Sequence, residues 1–142
     1  MNKEDAQYTI KEIGWMEYYG RKTDSLKKQL EEVQRQIDNA TAPKSPQGTE
    51  NIGAGRSLSF TGKESYLNLK ITQKDRIEKE IRKYSERYTD ALVSYYILLD
   101  QTDEKGFVED YFGKKMSKAD IETKYHIQKA YRKIVSIVME AL

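Results

Sequence analysis

The chain has 142 residues, the size of one domain, and its 37% hydrophobic and 34% charged content describes a soluble protein with a modest core. Lysines and arginines (25) nearly balance the acids (23), so the net charge of +2 excludes a global field for nucleic acid or membrane, and any basic surface must be local. Cysteine is absent, which removes disulfides, thiolate metal sites and cysteine nucleophiles; the opening MNKEDAQYTIKEIGW lacks a signal-peptide apolar core and no run approaches a membrane span, so a cytoplasmic location with no membrane partner is expected.

From Lys3 to Asn39 there is neither proline nor a turn cluster. Leu26, Leu30, Val33 and Ile37 recur at steps of four, three and four, one face of a helix, and Ile13, Met16 and Tyr19 extend that stripe upstream. Gly14 and Gly20 each weaken a helix interior by roughly 1 kcal/mol relative to alanine, so a kink or break is expected near Gly20. Between Ala40 and Gly62 both prolines and four of the eight glycines fall together, predicting a loop over 40–62. A second helix is predicted from Lys63 to about Asp100, with Leu67, Ile71, Lys74, Ile77, Ile81, Tyr84, Tyr88, Leu92, Tyr95 and Leu99 tracing a near-heptad seam. Two such helices, each of ~37 residues and ~55 Å, pack most simply as an antiparallel, coiled-coil-like hairpin. A two-helix rod buries only part of its apolar stripe, which makes the hairpin a candidate homodimer surface.

After Asp100 the pattern shortens to three predicted helices: Asp103 to Phe112, capped by Asp103 and stopped at Gly113; Ser117 to Lys124, with the Ser117 hydroxyl accepting from the Asp120 amide; and Gln128 to Leu142. On the last of these, Ile127, Ala130, Tyr131, Ile134, Ile137, Val138 and Ala141 share one side, while Lys129, Arg132, Lys133 and Ser136 lie opposite. One side packs and the other is basic. In helix-turn-helix proteins the start of the second helix enters the major groove, where arginine or lysine reads guanine and glutamine reads adenine. Gln128, Lys129, Arg132, Lys133 and Ser136 are therefore candidate base readers, and Lys114, Lys115, Ser117 and Lys118 candidate phosphate contacts. The bland alternative is a solvated amphipathic helix. His126 stands where many such turns carry glycine and must tolerate the turn conformation.

The stretch FVEDYFGKKMSKADIETKYHIQKAYRKIVSIVMEAL resembles the region 4 helix-turn-helix of sigma-70-type factors, in which an aromatic and a glycine precede a serine-capped helix. With the MNKEDA opening, the polar loop and the long helical segment, the whole chain resembles the small phage transcriptional regulators of the RinA and ArpU type. The resemblance implies sequence-specific binding of double-stranded DNA and activation of late genes for packaging and morphogenesis, inside a bacterial host cell, with host RNA polymerase as a further candidate partner. The turn Tyr125-His126-Ile127 departs from the sigma pattern, and no second sigma domain is recognisable.

Other constellations fail. His126 is the only histidine, so a zinc site would need three or more carboxylates. Gly53-Ala54-Gly55 has Leu58 where a dinucleotide fingerprint needs its third glycine; Gly62-Lys63 and Gly113-Lys114 lack the rest of a phosphate loop. Asp100, Asp103, Glu104, Glu109 and Asp110 do not have calcium-loop spacing. No serine has a histidine and an acid around it in a recognisable motif. No catalytic residue, metal or cofactor is expected, and the chain does not read as an enzyme. The eleven tyrosines suit a packed seam better than a single-strand stacking platform, with Trp15, Tyr18 and Tyr19 expected to pack against the group Tyr84, Tyr88, Tyr95 and Tyr96. The expected fold is all-α: a helical hairpin over 1–101, then a three-helix helix-turn-helix unit over 102–142. Two other functions stay open: a small terminase subunit binding packaging-site DNA, and a helical protein-binding adaptor or host-defence inhibitor without DNA binding.

Overall fold

Asn2 opens the fold with extended backbone, its side-chain oxygen accepting from the Asp5 amide at 2.8 Å and so satisfying a donor that the first helical turn leaves free. The computed structural model describes residues 1–41, 60–114 and 116–142, and among them every regular element is a helix. Helix α1 (Lys3–Gly14) carries Glu4 and Asp5 in its first turn and Lys11 in its last, the order its dipole favours. It buries Ala6, Ile10 and Ile13, four and three residues apart.

The chain breaks at Trp15, not near Gly20 as expected. Trp15 leaves helical geometry (φ −94°, ψ 3°), and its N–H is shared between the carbonyls of Lys11 (3.1 Å) and Glu12 (3.2 Å). The interruption directly follows Gly14, the residue that stiffens a helix least. Gly20 stays inside α2 (Met16–Thr41), and a Cβ there would lie 3.2 Å from the Tyr88 ring. Its glycine serves close packing rather than a bend.

Helix α3 runs from Phe60 to Gln101, 42 residues. Of the predicted loop, residues 42–59 lie outside the described residues, whereas 40, 41 and 60–62 are helical. The seam of α3 is a heptad of slightly different register from the expected one: Ile77, Ala91 and Leu98 are buried, with Tyr84 half-buried between them, while Leu92 and Leu99 are only half-buried and Ile71 is 47% exposed. On α2 the buried positions Tyr19, Leu26 and Val33 keep the same seven-residue step.

The chain divides into two compact units, Met1–Arg21 with Tyr84–Leu142, and Lys22–Lys83. The boundary expected between 101 and 102 lies inside the first. The α2 and α3 helices pack together, and in the second unit Leu26 and Val33 of α2 and Ile77 of α3 are buried. In the first unit Tyr18 and Tyr19 lie 6.3 and 6.2 Å from Tyr84 between ring centroids, and Arg87 sits over the Tyr19 ring at 5.8 Å, as an antiparallel pair requires.

After α3, Thr102 accepts the Glu104 amide at 3.1 Å, so the threonine and not Asp103 shapes this corner. The short α4 (Lys105–Val108) then widens into a π-helical turn, Glu109–Gly113, closed by the Lys114 amide on the Glu109 carbonyl at 2.9 Å. Gly113 does not adopt left-handed backbone; a Cβ there would meet the Tyr95 hydroxyl at 3.2 Å. Helices α5 (Lys118–Tyr125) and α6 (Ala130–Ala141) follow. The core of this unit joins Ala6, Ile10 and Ile13 of α1 to Phe107, Val108, Ile121 and the apolar face of α6. Helix α6 packs directly on α1 as well as on α5, which explains why Val135 is buried beside Ile134, Ile137 and Val138, and why Tyr131 is left 37% exposed. Each such aliphatic side chain contributes about 1.5–3 kcal/mol on burial.

Candidate nucleic-acid interface

Ser117 adopts extended backbone and accepts the Asp120 amide at 3.2 Å, starting α5 where the sequence predicts. The helix ends on His126, whose φ of 54° and ψ of 46° make it the only left-handed non-glycine residue among those described. The amides of His126 and Ile127 both turn back to the Glu122 carbonyl, the latter at 3.0 Å, which closes the C-terminus of α5. Ile127 then packs on the core that contains Ile121. The chain reaches α6 through Gln128 and Lys129. Lys129 occupies the capping position in extended conformation without a capping side chain. Glu122 supplies the cap from the neighbouring helix: its Oε1 accepts the Ala130 amide at 3.2 Å. One glutamate therefore fixes both ends of the turn.

Asp110 is the second organiser. It is 1% exposed, and its carboxylate accepts from Lys124 Nζ at 2.6 Å and from the Tyr125 hydroxyl at 2.5 Å, while Lys114 Nζ lies 3.1 Å away. Its carbonyl accepts the Met116 amide at 3.3 Å. The Lys124 ammonium, then the Tyr125 hydroxyl, outweigh burial and hold the Asp110 carboxyl well below the usual carboxylate range, with Lys114 adding to the effect. In return Asp110 pushes Lys124 and Tyr125 above their ordinary values. The π-helical turn is thereby pinned to the last turn of α5.

The candidate DNA contacts separate into three groups. Gln128 and Lys129 lie in the turn before α6 rather than on the helix, while Arg132 and Ser136 are one turn apart on it; all four are exposed. Lys118 is exposed at the start of α5, its ammonium 5.9 Å from the centre of the Tyr131 ring. Lys114 and Lys133 are engaged: Lys114 pairs with Asp110, and Lys133 lies 2.8 Å from Glu104 and 5.3 Å over the Phe107 ring. Lys115 is outside the described residues. Among the described residues, Lys118, Lys129 and Arg132 have no carboxylate within ion-pair distance, so the cationic surface here is smaller than a residue count suggests. Sequence reasoning missed Asp110 and Glu122. The Asp110 to Lys114 step of four residues was a visible signal; the partners fourteen and fifteen residues away were not.

Among the described residues no three of His, Asp and Glu are grouped to hold a metal ion, and no helix is long and apolar enough to cross a membrane. Compared with protein-family models, with curated proteins and with solved structures, the chain has no match in any of the three.

Proposed function

We propose that the chain is a sequence-specific DNA-binding transcriptional regulator of phage or prophage origin, activating late genes, with α5 and α6 as its helix-turn-helix. The observation that carries this reading is the exposed edge Gln128, Lys129, Arg132 and Ser136, set beside a serine-capped helix and joined to it by a turn that Glu122 and Asp110 hold. Arg132 reads a guanine edge, Gln128 an adenine, and Lys118 and Lys129 meet phosphates. Lys133 and Lys114 act on the protein itself, as the partners of Glu104 and Asp110. A homodimer reads paired half-sites. Val93, Tyr96 and Ile97 of α3, at helical spacing and 49%, 60% and 45% exposed, are the apolar face that supports self-association.

The test is binding to duplex fragments from the chain's own genomic neighbourhood, compared with Arg132→Ala and with Arg76→Ala as an exposed control elsewhere. Arg132→Ala should weaken specific binding by about 1–3 kcal/mol and relax sequence preference, with Arg76→Ala unchanged. With Lys118 and Lys129 on phosphates, log affinity should fall against log salt with a slope of about −2 per protomer. Binding that is sequence-blind and indifferent to Arg132 sinks the proposal. The same α3 stripe favours a second reading, a protein-binding adaptor without DNA binding, which that outcome would leave in place.

A further inference from the structure

A groove of about 420 Å³ lies between α1 and the π-helical turn, within the range of ligand sites. Its apolar walls are Ile10, Gly14, Trp15, Tyr111, Phe112 and Met116, and the two charged residues lining it, Lys11 and Lys118, are both exposed. Trp15 is the chain's only tryptophan, and 49% of it faces solvent. A large aromatic left open in an apolar groove is the kind of anchor that protein interfaces use. Gly14 contributes in a second way: a Cβ built on it meets nothing within 4 Å, so the groove extends up to the helix backbone. Alanine there would favour the helix by roughly 1 kcal/mol, and the glycine leaves the space empty.

Charge decides what fits. Among the described residues the charged groups lining the groove are Lys11 and Lys118, both positive, and neither has a carboxylate within ion-pair distance. Duplex DNA offers phosphates but no apolar side chain to fill an aromatic-lined groove of this volume. A peptide offers both. We propose that this groove docks an acidic segment of a partner protein, seating one bulky apolar side chain against Trp15 and Phe112 while flanking carboxylates meet Lys11 and Lys118. The inference shares Lys118 with the DNA-binding reading, where it meets phosphate, but Trp15, Gly14 and Lys11 lie outside the proposed DNA edge, so the Gly14 and Lys11 variants test the groove separately.

Trp15 emission in the full chain reads the event directly. A short peptide with a central phenylalanine among aspartates and glutamates should shift or quench it saturably, and the same peptide with lysine at each acidic position should not. Gly14→Leu fills the groove and should weaken the acidic peptide at least tenfold while leaving the melting temperature unchanged or higher. Lys11→Glu, on the surface, should weaken it comparably and guards against a folding failure of the first variant. Equal responses to both peptides, no saturable response to the acidic one, or full binding by both variants would each overturn the proposal. A Trp15 signal that follows protein concentration alone, or duplex DNA and not the acidic peptide, would overturn it in favour of a second copy or of nucleic acid.

Discussion

His126 and Asp110 each hold the turn between helices, by opposite means. Left-handed backbone costs a residue with a Cβ roughly 1–2 kcal/mol, and His126 bears that cost at φ 54°. Glycine removes the clash but widens the unfolded ensemble, so His126→Gly should stabilise the fold by about 0.5–1 kcal/mol in urea denaturation; a loss instead would mean that the imidazole makes a compensating contact. Asp110 stabilises through charge. Its folded-state pKa lies below the unfolded value of about 3.9, so as pH falls the unfolded chain takes up the proton first. The contribution is complete above that unfolded value and is lost as pH falls on through the folded one. Asp110→Asn should lower the melting temperature by several degrees at pH 7 and flatten the acid limb of the stability profile below about pH 4. An unchanged acid limb would show that other carboxylates set it.

At the scale of the helix pair, Glu122 binds the end of α5 through its carbonyl and the start of α6 through its side chain. Glu122→Ala should cost about 0.5–2 kcal/mol, the range of a lost helix cap, whereas Glu122→Gln keeps an acceptor for the Ala130 amide and should recover most of it. If the two variants melt alike at the wild-type temperature, the cap contributes nothing. The local part of this arrangement was legible in the sequence. Ser117 is a capping residue followed by the amide it accepts, and the position of His126 between two periodic segments demanded a turn. The start of α6 was misread by two residues because Gln128 and Lys129 continue the helical periodicity although the chain there is not helical; the capping group that ends the ambiguity comes from another helix. The basic face was overestimated for the same reason. Spacing gives the direction in which Lys133 leaves α6, but only the tertiary fold brings Glu104 to meet it.

Across the whole molecule, the long apolar periodicities predicted helices and their all-α packing, but not which helix α6 rests on. A seven-residue repeat identifies a buried face without identifying its neighbour, and α1 lies more than a hundred residues before α6. The break at Trp15 is what makes α1 a separate element that packs on α6. The candidate interface is therefore backed by the first helix of the chain as well as by its own three-helix surroundings. That arrangement carries a cost that mutation can expose. Ile13 is 3% exposed in the same core as Ile134 and Val138, so Ile13→Ala should destabilise the first unit by about 2–4 kcal/mol through the lost contacts and the cavity left behind. Amide hydrogen exchange should then show reduced protection over 134–138, while Leu26→Ala, in the other unit, should reduce protection in α2 near its own site. Protection over 134–138 that survives Ile13→Ala would mean that α6 is held by α5 and the π-helical turn alone. In that case the helix-turn-helix would fold as an independent unit, and α1 would serve only the groove beside it.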